Sequence, residues 1–446
     1  MASMATRPGR IGVVATSYPR WPGDGAGGFV EGHVRYLRGC GAEVEVVAAG
    51  HSLPAPSGLF FDGGAPEAIE SALTAAQPMT LVRALGFSAD MVATVVRRVR
   101  RWDAIAAHWL VPSAVAAALA PRRVPMLAIA HGGDVHLLAR MRLLAPVMAL
   151  LVARDARLVF VSDELRRRAM DALPRWLGER VMARSIVQPM GVDDVRTAAI
   201  VETRAAAAAA TEPAAAATIV VLARLVPVKG VETAIAAMRH LPASARLVIA
   251  GDGPERSALA ALAAPLGDRV QFLGWIDGDA RDALLASADV VVVPSAPVGP
   301  NARSEGMPMA ALEALAAGVP LVASASGGLR ELGRHGALLV SPRDERALAR
   351  SVECALRNGL AHARPAQDDR PTQHDRHQAQ HPGQPIRTQL GWNRVGSVLD
   401  RHWRREPGYA PAPFDAQPNE THWSSRPADS VDSVSHSGDL SIRPDW

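Results

Sequence analysis

The sequence predicts an α/β protein built from two doubly wound domains. Short β-branched runs alternate with amphipathic or alanine-rich stretches along 446 residues, such as "RIGVVAT" and "RLVFVS" in the first half and "TIVVLA", "ARLVIAG" and "ADVVVVPS" in the second. Strands that alternate with helices in this way form parallel sheets with crossover helices. The chain is long for one core, and its 48% hydrophobic content is enough to fill two.

A low-complexity stretch, "TRAAAAAATEPAAAA" at 203–217, interrupts the alternation just before "TIVVLA". We therefore expect an N-terminal domain over 1–202, a linker over 203–217 and a C-terminal domain over 218–358. Residues 359–389 are rich in Gln, His, Pro and Arg where an amphipathic helix would be expected, which indicates compensating frameshifts or a divergent polar insert. A helical period resumes over 390–403, and the polar tail over 404–446 predicts disorder.

Composition narrows the class of protein. The two cysteines, Cys40 and Cys354, lie far apart and outside any metal-binding spacing, which favours a reducing cytosol over a disulfide framework or a zinc site. The polar N-terminus and the lack of a long uninterrupted apolar run predict a cytoplasmic chain without a secretion signal or a membrane span. Net charge is +4, and no basic stripe interleaved with aromatics indicates nucleic-acid binding.

One lysine stands out in an arginine-rich chain. The 48 basic residues are 47 arginines and Lys229. Arg224 follows a predicted strand and Lys229 lies five residues later, in the turn before a helix. Two cations there could hold a diphosphate, Arg as a planar fork and Lys as a compact point charge. The alternative is a solvated loop in which the lysine is a chance survivor.

Two carboxylates stand in an otherwise apolar stretch, "SEGMPMAALEALAAG" at 304–318. Pro308 suits the first turn of a helix, so Glu305 precedes the helix and Glu313 lies inside it. Eight residues turn through two rotations and roughly 80° more, which leaves both carboxylates on one side. The helix N-terminus suits a phosphate, and carboxylates accept hydrogen bonds from sugar hydroxyls. A sugar, a diphosphate and a ribose in one line describe a nucleotide sugar.

Further motifs follow predicted strands. Gly27 and Gly28 precede a helix in a loop that could approach a phosphate or sugar, or could equally form an ordinary tight turn. His131, in "HGGDVHLL", follows the strand "VPMLAIA" and should face a cleft between the sheets together with Asp134, although a lone histidine is often structural. "AGDGPE" lacks the third glycine of a dinucleotide fingerprint, since Arg256 stands there, so a nicotinamide cofactor is a poor reading.

Taken together, these motifs resemble a known family. "GGFVEGH", "HGGDV", "QPMGVD", "ARLVPVKG", "AGDGPE", "FLGWI", "SADVVVVPS" and, above all, "EGMPMAALEALAAGVPLVAS" with its Glu-x7-Glu pattern are similar to those of retaining glycosyltransferases of family 4, group 1. The resemblance covers residues 10 to about 350. It implies the GT-B fold, two Rossmann-like domains facing a cleft, and a role in glycan biosynthesis.

The resemblance also implies roles for individual residues. Arg224 and Lys229 would grip the donor diphosphate, Glu313 would bind the ribose and Glu305 would face the transferred sugar. The Gly306 to Met307 backbone would lie beside the phosphates and His131 near the sugar, with Gly28 close to the donor. Gly274 would border the base. No metal or other cofactor is implied, because the two cations neutralise the leaving diphosphate, and "DGD" at 277–279 is expected to form a turn.

We therefore expect transfer of a sugar from a UDP-, GDP- or ADP-sugar to a glycan, lipid or small-molecule acceptor, with retention of configuration. The alternatives are a nucleotide-sugar epimerase or phosphorylase of the same fold, or a relative disabled by its altered C-terminal segment. Arginine clusters in "MVATVVRRVRRW" (91–102) and "ELRRRAM" (164–170) raise a peripheral contact with anionic lipid, against the alternative of solvated helix faces.

Overall fold

The computed structural model describes residues 9–21, 24, 26–53, 78–210, 216–299, 303–362 and 389–404. The first sheet contains the strands β1 (Arg10–Ala15), β2 (Glu43–Ala48), β3 (Ala104–His108), β4 (Met126–Ala130), β5 (Arg157–Phe160) and β6 (Ser185–Val187). All its strands are parallel, in the order β2-β1-β3-β4-β5-β6. Its helices are α1 (Gly28–Gly39), α2 (Pro78–Arg98), α3 (Val115–Ala118), α4 (Gly133–Arg140), α5 (Leu144–Ala153), α6 (Asp163–Asp171) and α7 (Arg175–Met182).

The second sheet contains β7 (Thr218–Leu222), β8 (Arg246–Ala250), β9 (Val270–Gly274), β10 (Val290–Val293), β11 (Leu321–Ser324) and β12 (Leu338–Val340). It is also parallel, in the order β12-β11-β10-β7-β8-β9. The remaining helices are α8 (Asp194–Ala210), α9 (Val231–Ala237), α10 (Arg256–Ala263), α11 (Gly278–Ser287), α12 (Met309–Ala316), α13 (Glu345–His362) and α14 (Trp392–Arg404). The predicted pair of doubly wound α/β units is confirmed.

Strand order decides where a ligand can bind. In the second sheet the chain runs outward from β7 through β8 to β9 and then returns to β10 on the other side of β7. The loops after β7 and β10 therefore diverge to opposite faces, which opens a crevice at the carboxyl ends of these strands. Arg224 and Lys229 lie in the loop after β7. The fold thus places the two predicted phosphate-binding cations at the switch point of the sheet.

The predicted linker over 203–217 lies between β6, the last strand of the first sheet, and β7, the first strand of the second. Helix α8 continues to Ala210 and so includes the first part of that stretch, while residues 211–215 lie outside the described residues. Ile200 belongs to the second core, and the Arg204 guanidinium donates to carbonyl oxygens at the end of α11. Alanine is the strongest helix former, so a run of alanines extends a helix instead of breaking it.

Residues 390–403, predicted as a return helix, fall largely within α14, which packs on the first domain. Trp392, Val395 and Leu399 are buried in the core of the first sheet. Residue Gly396 lies against Tyr36 of α1, where a Cβ would come within 2.4 Å of the Tyr36 ring. Of the polar segment over 359–389, only the end of α13 and the start of the return segment are described. Its middle and the tail from 405 lie outside the described residues.

The two arginine-rich segments do not present the surfaces that a contact with lipid would need. In "MVATVVRRVRRW" the apolar face is formed by Met91, Val95 and Val99, which are buried in the first core and cannot contact lipid. In "ELRRRAM" the three arginines pair with Asp163 and Glu164 of the same helix. Exposed apolar side chains occur instead in the first half of α2. Among the described residues, one helix, Met79–Arg101, has the length and composition of a membrane span.

Candidate active site

A cavity of about 810 Å³ opens where the carboxyl ends of both sheets meet. Its walls come from the loops after β1, β4 and β7 and from the segment that enters α12. The predicted site residues that line it are Gly28, His131, Arg224, Lys229, Glu305, Gly306, Met307 and Glu313. Gly274 is not among the lining residues, although the next two, Trp275 and Ile276, are. Tertiary structure thus brings together motifs from both halves of the chain.

The two domains approach each other closely at Gly306. A Cβ on this residue would stand 2.3 Å from the carbonyl oxygen of His131 and 3.0 Å from Val161. Only a hydrogen atom fits such a contact, so any larger residue would push the two domains apart. Met307 packs against the cores of both sheets. Gly306 and Met307 therefore fix the distance between the end of β4 and the start of α12.

Lys229 and Glu305 form an ion pair in this cavity. The Glu305 side chain is only 9% exposed, and that of Lys229 is 24% exposed. A carboxylate buried to this degree needs a positive partner, because removing it from water without one is costly. The two residues come from loops after different strands, β7 and β10, so the pair spans the switch point. Arg224 lines the same cavity, five residues before Lys229.

Helix α12 begins one residue later than predicted, since Pro308 precedes the first helical residue, Met309. Glu313 lies just over one turn inside the helix and points toward α11. Both its oxygens accept hydrogen bonds from the Arg281 guanidinium, the Nη1 to Oε1 contact being 2.7 Å. A bidentate pair uses one lone pair on each oxygen, so each retains one for a further donor. Sequence reasoning missed Arg281, because nothing in its local pattern marks it.

His131 is held in place through the backbone by Asp134. Buried and 3% exposed, the Asp134 carboxylate accepts hydrogen bonds from the backbone N–H groups of His131, Gly132 and Val135 at 2.9 to 3.2 Å. It also accepts one from Leu110, at 2.8 Å. Burial raises the pKa of Asp134 above its usual value, and the four hydrogen bonds oppose this rise without cancelling it. The motif "HGGDV" therefore uses its aspartate to fasten the loop that presents the histidine.

The glycine-rich loop before α1 differs in detail from the prediction. Gly27 is the constrained residue, with a φ of 70° and a Cβ position only 2.5 Å from the Ser17 carbonyl oxygen. Gly28 lies open to the cavity, with nothing within 4 Å of its Cβ position. A side chain at Gly28 would therefore enter the space available to a ligand. Asp277 in "DGD" accepts a hydrogen bond from Ala280 N–H and caps α11.

Two further histidines lie beside His131. Nε2 of His131 is 3.2 Å from Nδ1 of His108, and Nε2 of His108 is 3.0 Å from Nδ1 of His33. A sequence signal for His108 exists, because it ends β3 while His131 follows β4, and these strands are neighbours. Among the described residues no cluster of three or more His, Cys, Asp or Glu is arranged to hold a metal ion.

Comparison with protein families gives a match in the second domain and the residues that follow it. Residues 204–370 match the family of Glycosyl transferases group 1. An uncharacterised glycosyltransferase of Methanocaldococcus jannaschii is 41% identical over 147 residues, 31% of this chain and 35% of that protein. A GDP-mannose-dependent alpha-(1-6)-phosphatidylinositol monomannoside mannosyltransferase of Mycobacterium tuberculosis is 38% identical over 152 residues, 33% of this chain and 40% of that protein.

A third relative extends the match. TuaC of Bacillus subtilis, named for teichuronic acid biosynthesis, is 30% identical over 255 residues, 56% of this chain and 60% of its own length. The matches thus span about one third to three fifths of these curated relatives.

Solved structures establish the fold. Sucrose-phosphate synthase from Thermosynechococcus elongatus superimposes with a TM-score of 0.59 at 19% identity, over 89% of this chain and 98% of that one. Anabaena HepE, solved in complex with UDP, gives 0.57 at 17% identity, over 89% and 100%. With two parallel six-stranded sheets facing a cleft, the chain has the GT-B fold, as the sequence resemblance implied.

The buried histidines should make the stability of the folded protein sensitive to acid. Burial lowers the pKa of His33 to about 4 and lowers that of His108 well below its usual value. Between about pH 6.5 and those values the unfolded chain binds more protons than the folded one, so stability must fall as pH falls. Each such histidine contributes a slope of up to about 1.4 kcal/mol per pH unit in that window.

We expect the free energy of unfolding in urea to fall from about pH 7 to about pH 5, above the range where most carboxylates titrate. His33→Leu should reduce this slope. The matched control, His51→Leu, removes a histidine that is exposed and should leave it unchanged. A stability that does not vary with pH across this window would contradict the neutral, buried state of the histidines.

Proposed function

We propose that the protein is a retaining glycosyltransferase that moves a sugar from a nucleotide-sugar donor to an acceptor hydroxyl without a metal ion. The observation that carries the proposal is the meeting of Lys229, Glu305 and the start of α12 at the switch point of the second sheet. Cations and a helix N-terminus suit a diphosphate, and the adjoining carboxylate suits the hydroxyls of a sugar. The match of residues 204–370 to group 1 glycosyl transferases supports the same reading.

The donor would lie across the cavity in a fixed order. Its diphosphate would lie against Arg224, Lys229 and the Gly306 to Met307 backbone, its sugar between Glu305 and His131, and its ribose at Glu313. Trp275, 55% exposed at the cavity wall, would offer an aromatic face near the base, beside the position proposed for Gly274. Gly28 would leave room for the donor from the side of the first domain.

The chemistry requires positioning and charge stabilisation more than covalent catalysis. In a retaining transfer, the acceptor oxygen bonds to the anomeric carbon on the face from which the diphosphate departs. The bond to the phosphate oxygen breaks, and that oxygen takes the proton of the acceptor hydroxyl. Lys229 and Arg224 would stabilise the charge that develops on the diphosphate. Glu305, which pairs with Lys229, would face the sugar as it becomes cationic.

Nucleotide release from UDP-, GDP- and ADP-sugars tests the proposal. UDP-glucose and GDP-mannose should be assayed first, because a structure of Anabaena HepE contains UDP-glucose and the relative from Mycobacterium tuberculosis is named as GDP-mannose-dependent. Turnover should persist in EDTA, and the product should keep the anomeric configuration of the donor. Lys229→Ala should lower turnover about 100-fold or more, and Lys229→Arg should rescue it only in part, since a planar fork cannot replace a point charge.

Several outcomes would overturn this assignment. Donor conversion without any acceptor would indicate an epimerase, and a need for inorganic phosphate would indicate a phosphorylase. Binding of UDP, GDP or ADP without turnover of any donor would indicate a disabled relative. Near-normal turnover by Lys229→Ala, with an unchanged melting temperature, would remove the role given to the lysine.

Substitutions of the two carboxylates, Glu305 and Glu313, should change different quantities, one kcat and the other the affinity for nucleoside diphosphate. Glu313→Gln should weaken the affinity for the free nucleoside diphosphate, because that ligand contains the ribose. Glu305→Gln should leave that affinity nearly unchanged and lower kcat, because its contacts strengthen in the transition state. Isothermal titration, steady-state kinetics and melting temperature on both variants provide the measurement.

The ion pair with Arg281 supplies the control for this test. Arg281→Gln also breaks the pair but retains the Glu313 carboxylate. If Glu313 served only as the partner of Arg281, both substitutions would lower the melting temperature alike and affect diphosphate affinity alike. A loss of affinity in Glu313→Gln that clearly exceeds the loss in Arg281→Gln supports ribose binding, and equal losses contradict it.

A peripheral contact with anionic lipid is proposed for the first half of α2, in place of the segment over 91–102. Met79, Val82 and Leu85 are 59 to 70% exposed at a spacing of three residues. Exposed arginines follow at the end of the same helix and just beyond it, Arg97 and Arg100 among them. Apolar side chains beside cations are typical of membrane-surface helices.

Co-sedimentation with vesicles tests this contact. Binding should rise with the fraction of anionic lipid and fall at high salt, and Leu85→Glu should reduce it more than Arg175→Glu, a change at an exposed site on α7. Binding that ignores lipid charge, or that both variants affect equally, would remove the proposal.

A further inference from the structure

Three histidines form a continuous chain from the cavity into the first core. His33 lies in α1, His108 ends β3 and His131 follows β4, and the ring nitrogens are 3.0 and 3.2 Å apart at the two contacts. His108 is fully buried and His33 is 1% exposed, while the His131 ring lines the cavity. At the inner end, His33 stacks on Trp392 with ring centroids 5.4 Å apart and planes 3° apart.

The positions of the protons in this chain are coupled. Burial lowers the pKa of each of the three imidazoles, to about 4 in His33 and about 3 in His131, so all are neutral near pH 7. A neutral imidazole has one N–H and one bare nitrogen. Each contact between two rings needs one N–H donor, so the protons of the three histidines have two possible arrangements. In one, every N–H is directed toward His131, and in the other, every N–H is directed toward His33.

The inner end distinguishes the two arrangements. Nε2 of His33 is buried and has no hydrogen-bond partner among the residues that the structure describes. If the N–H groups pointed inward, this nitrogen would carry a hydrogen with no acceptor. If they point outward, the same nitrogen is a bare acceptor. Among buried backbone groups, N–H groups without an acceptor are rarer than C=O groups that lack a donor, and we apply the same preference to this imidazole. The outward arrangement is therefore favoured.

We propose that His33 and His108 are positioning residues that hold His131 with its proton on Nδ1. In this state Nδ1 of His33 donates to Nε2 of His108, Nδ1 of His108 donates to Nε2 of His131, and the remaining nitrogen of His131 is a donor. His131 then serves as a hydrogen-bond donor to an oxygen in the cavity and not as a base. That this oxygen belongs to a donor sugar rests on the proposed function, whereas the tautomer itself does not.

The C-terminal helix takes part in this arrangement. Trp392 covers His33 and lies so close to Gly32 and Gly191 that a Cβ on either would stand 2.0 or 2.5 Å from its ring. The indole thus packs on the face of the innermost histidine, whose Nε2 is buried. Water admitted there would supply Nε2 of His33 with a partner and allow either arrangement. A residue of the returning helix α14 thereby influences the tautomer of a histidine in the cavity.

Nitrogen-15 NMR of the full-length protein, labelled at histidine, tests the proposal without any nucleotide-sugar or acceptor substrate. The His131 signals are identified by their loss in His131→Asn. In the wild type, Nδ1 of His131 should be protonated and Nε2 bare. His33→Ala replaces the inner ring with a space that water can occupy. Because water accepts a hydrogen bond as readily as it donates one, Nε2 of His108 could then donate to it, and His131 should shift toward the Nε2–H tautomer. His33→Asn, whose amide can donate from about the same place, should retain the wild-type tautomer.

A wild-type His131 protonated on Nε2 would overturn the proposal, as would a tautomer that His33→Ala does not change. Trp392→Phe provides a second variant if His33→Ala fails to fold, and it should produce a smaller shift in the same direction. If the assay of sugar transfer succeeds, His33→Ala should lower kcat about tenfold with little change in KM, and His33→Asn should restore most of it. Failure of turnover with an intact Nδ1–H tautomer would contradict the proposed function alone.

Discussion

The contact between Gly306 and the carbonyl oxygen of His131 is the constraint on which the site depends. Two separately folded sheets can face each other at many distances, and a side chain at this position would hold them apart. Because only hydrogen fits, the segment that enters α12 lies directly against the end of β4. Glu305, on one side of Gly306, is thereby brought into the same cavity as His131. The two residues are 174 positions apart in the chain.

Electrostatic pairing organises the rest of the cavity. Lys229 pairs with Glu305, and Arg281 pairs with Glu313, so each carboxylate of the Glu-x7-Glu motif has a cation from a different loop or helix. Partly buried charges of this kind need partners, and the pairs also hold the carboxylates in defined orientations. A polyanionic ligand would compete for Lys229, whereas a ribose could use the remaining lone pairs of Glu313 without displacing Arg281.

The returning helix α14 ties the C-terminus to this arrangement. Its buried face completes the core of the first sheet, and Trp392 reaches both the cavity and the inner histidine. The contact between α14 and the site is the packing of the Trp392 indole on the His33 imidazole.

The sequence alone determined the alternation of strands and helices, and with it two parallel sheets whose strand ends should meet at a cleft. It also marked Lys229 by its uniqueness and the two glutamates by their apolar surroundings, because composition and spacing are visible without coordinates. Tertiary structure alone decided which charges pair, that α8 packs with the second sheet, and that three histidines touch. These features depend on contacts between residues far apart in the chain, such as Arg281 with Glu313 and His33 with His108. No local pattern encodes such contacts, since they arise only when separate elements pack together.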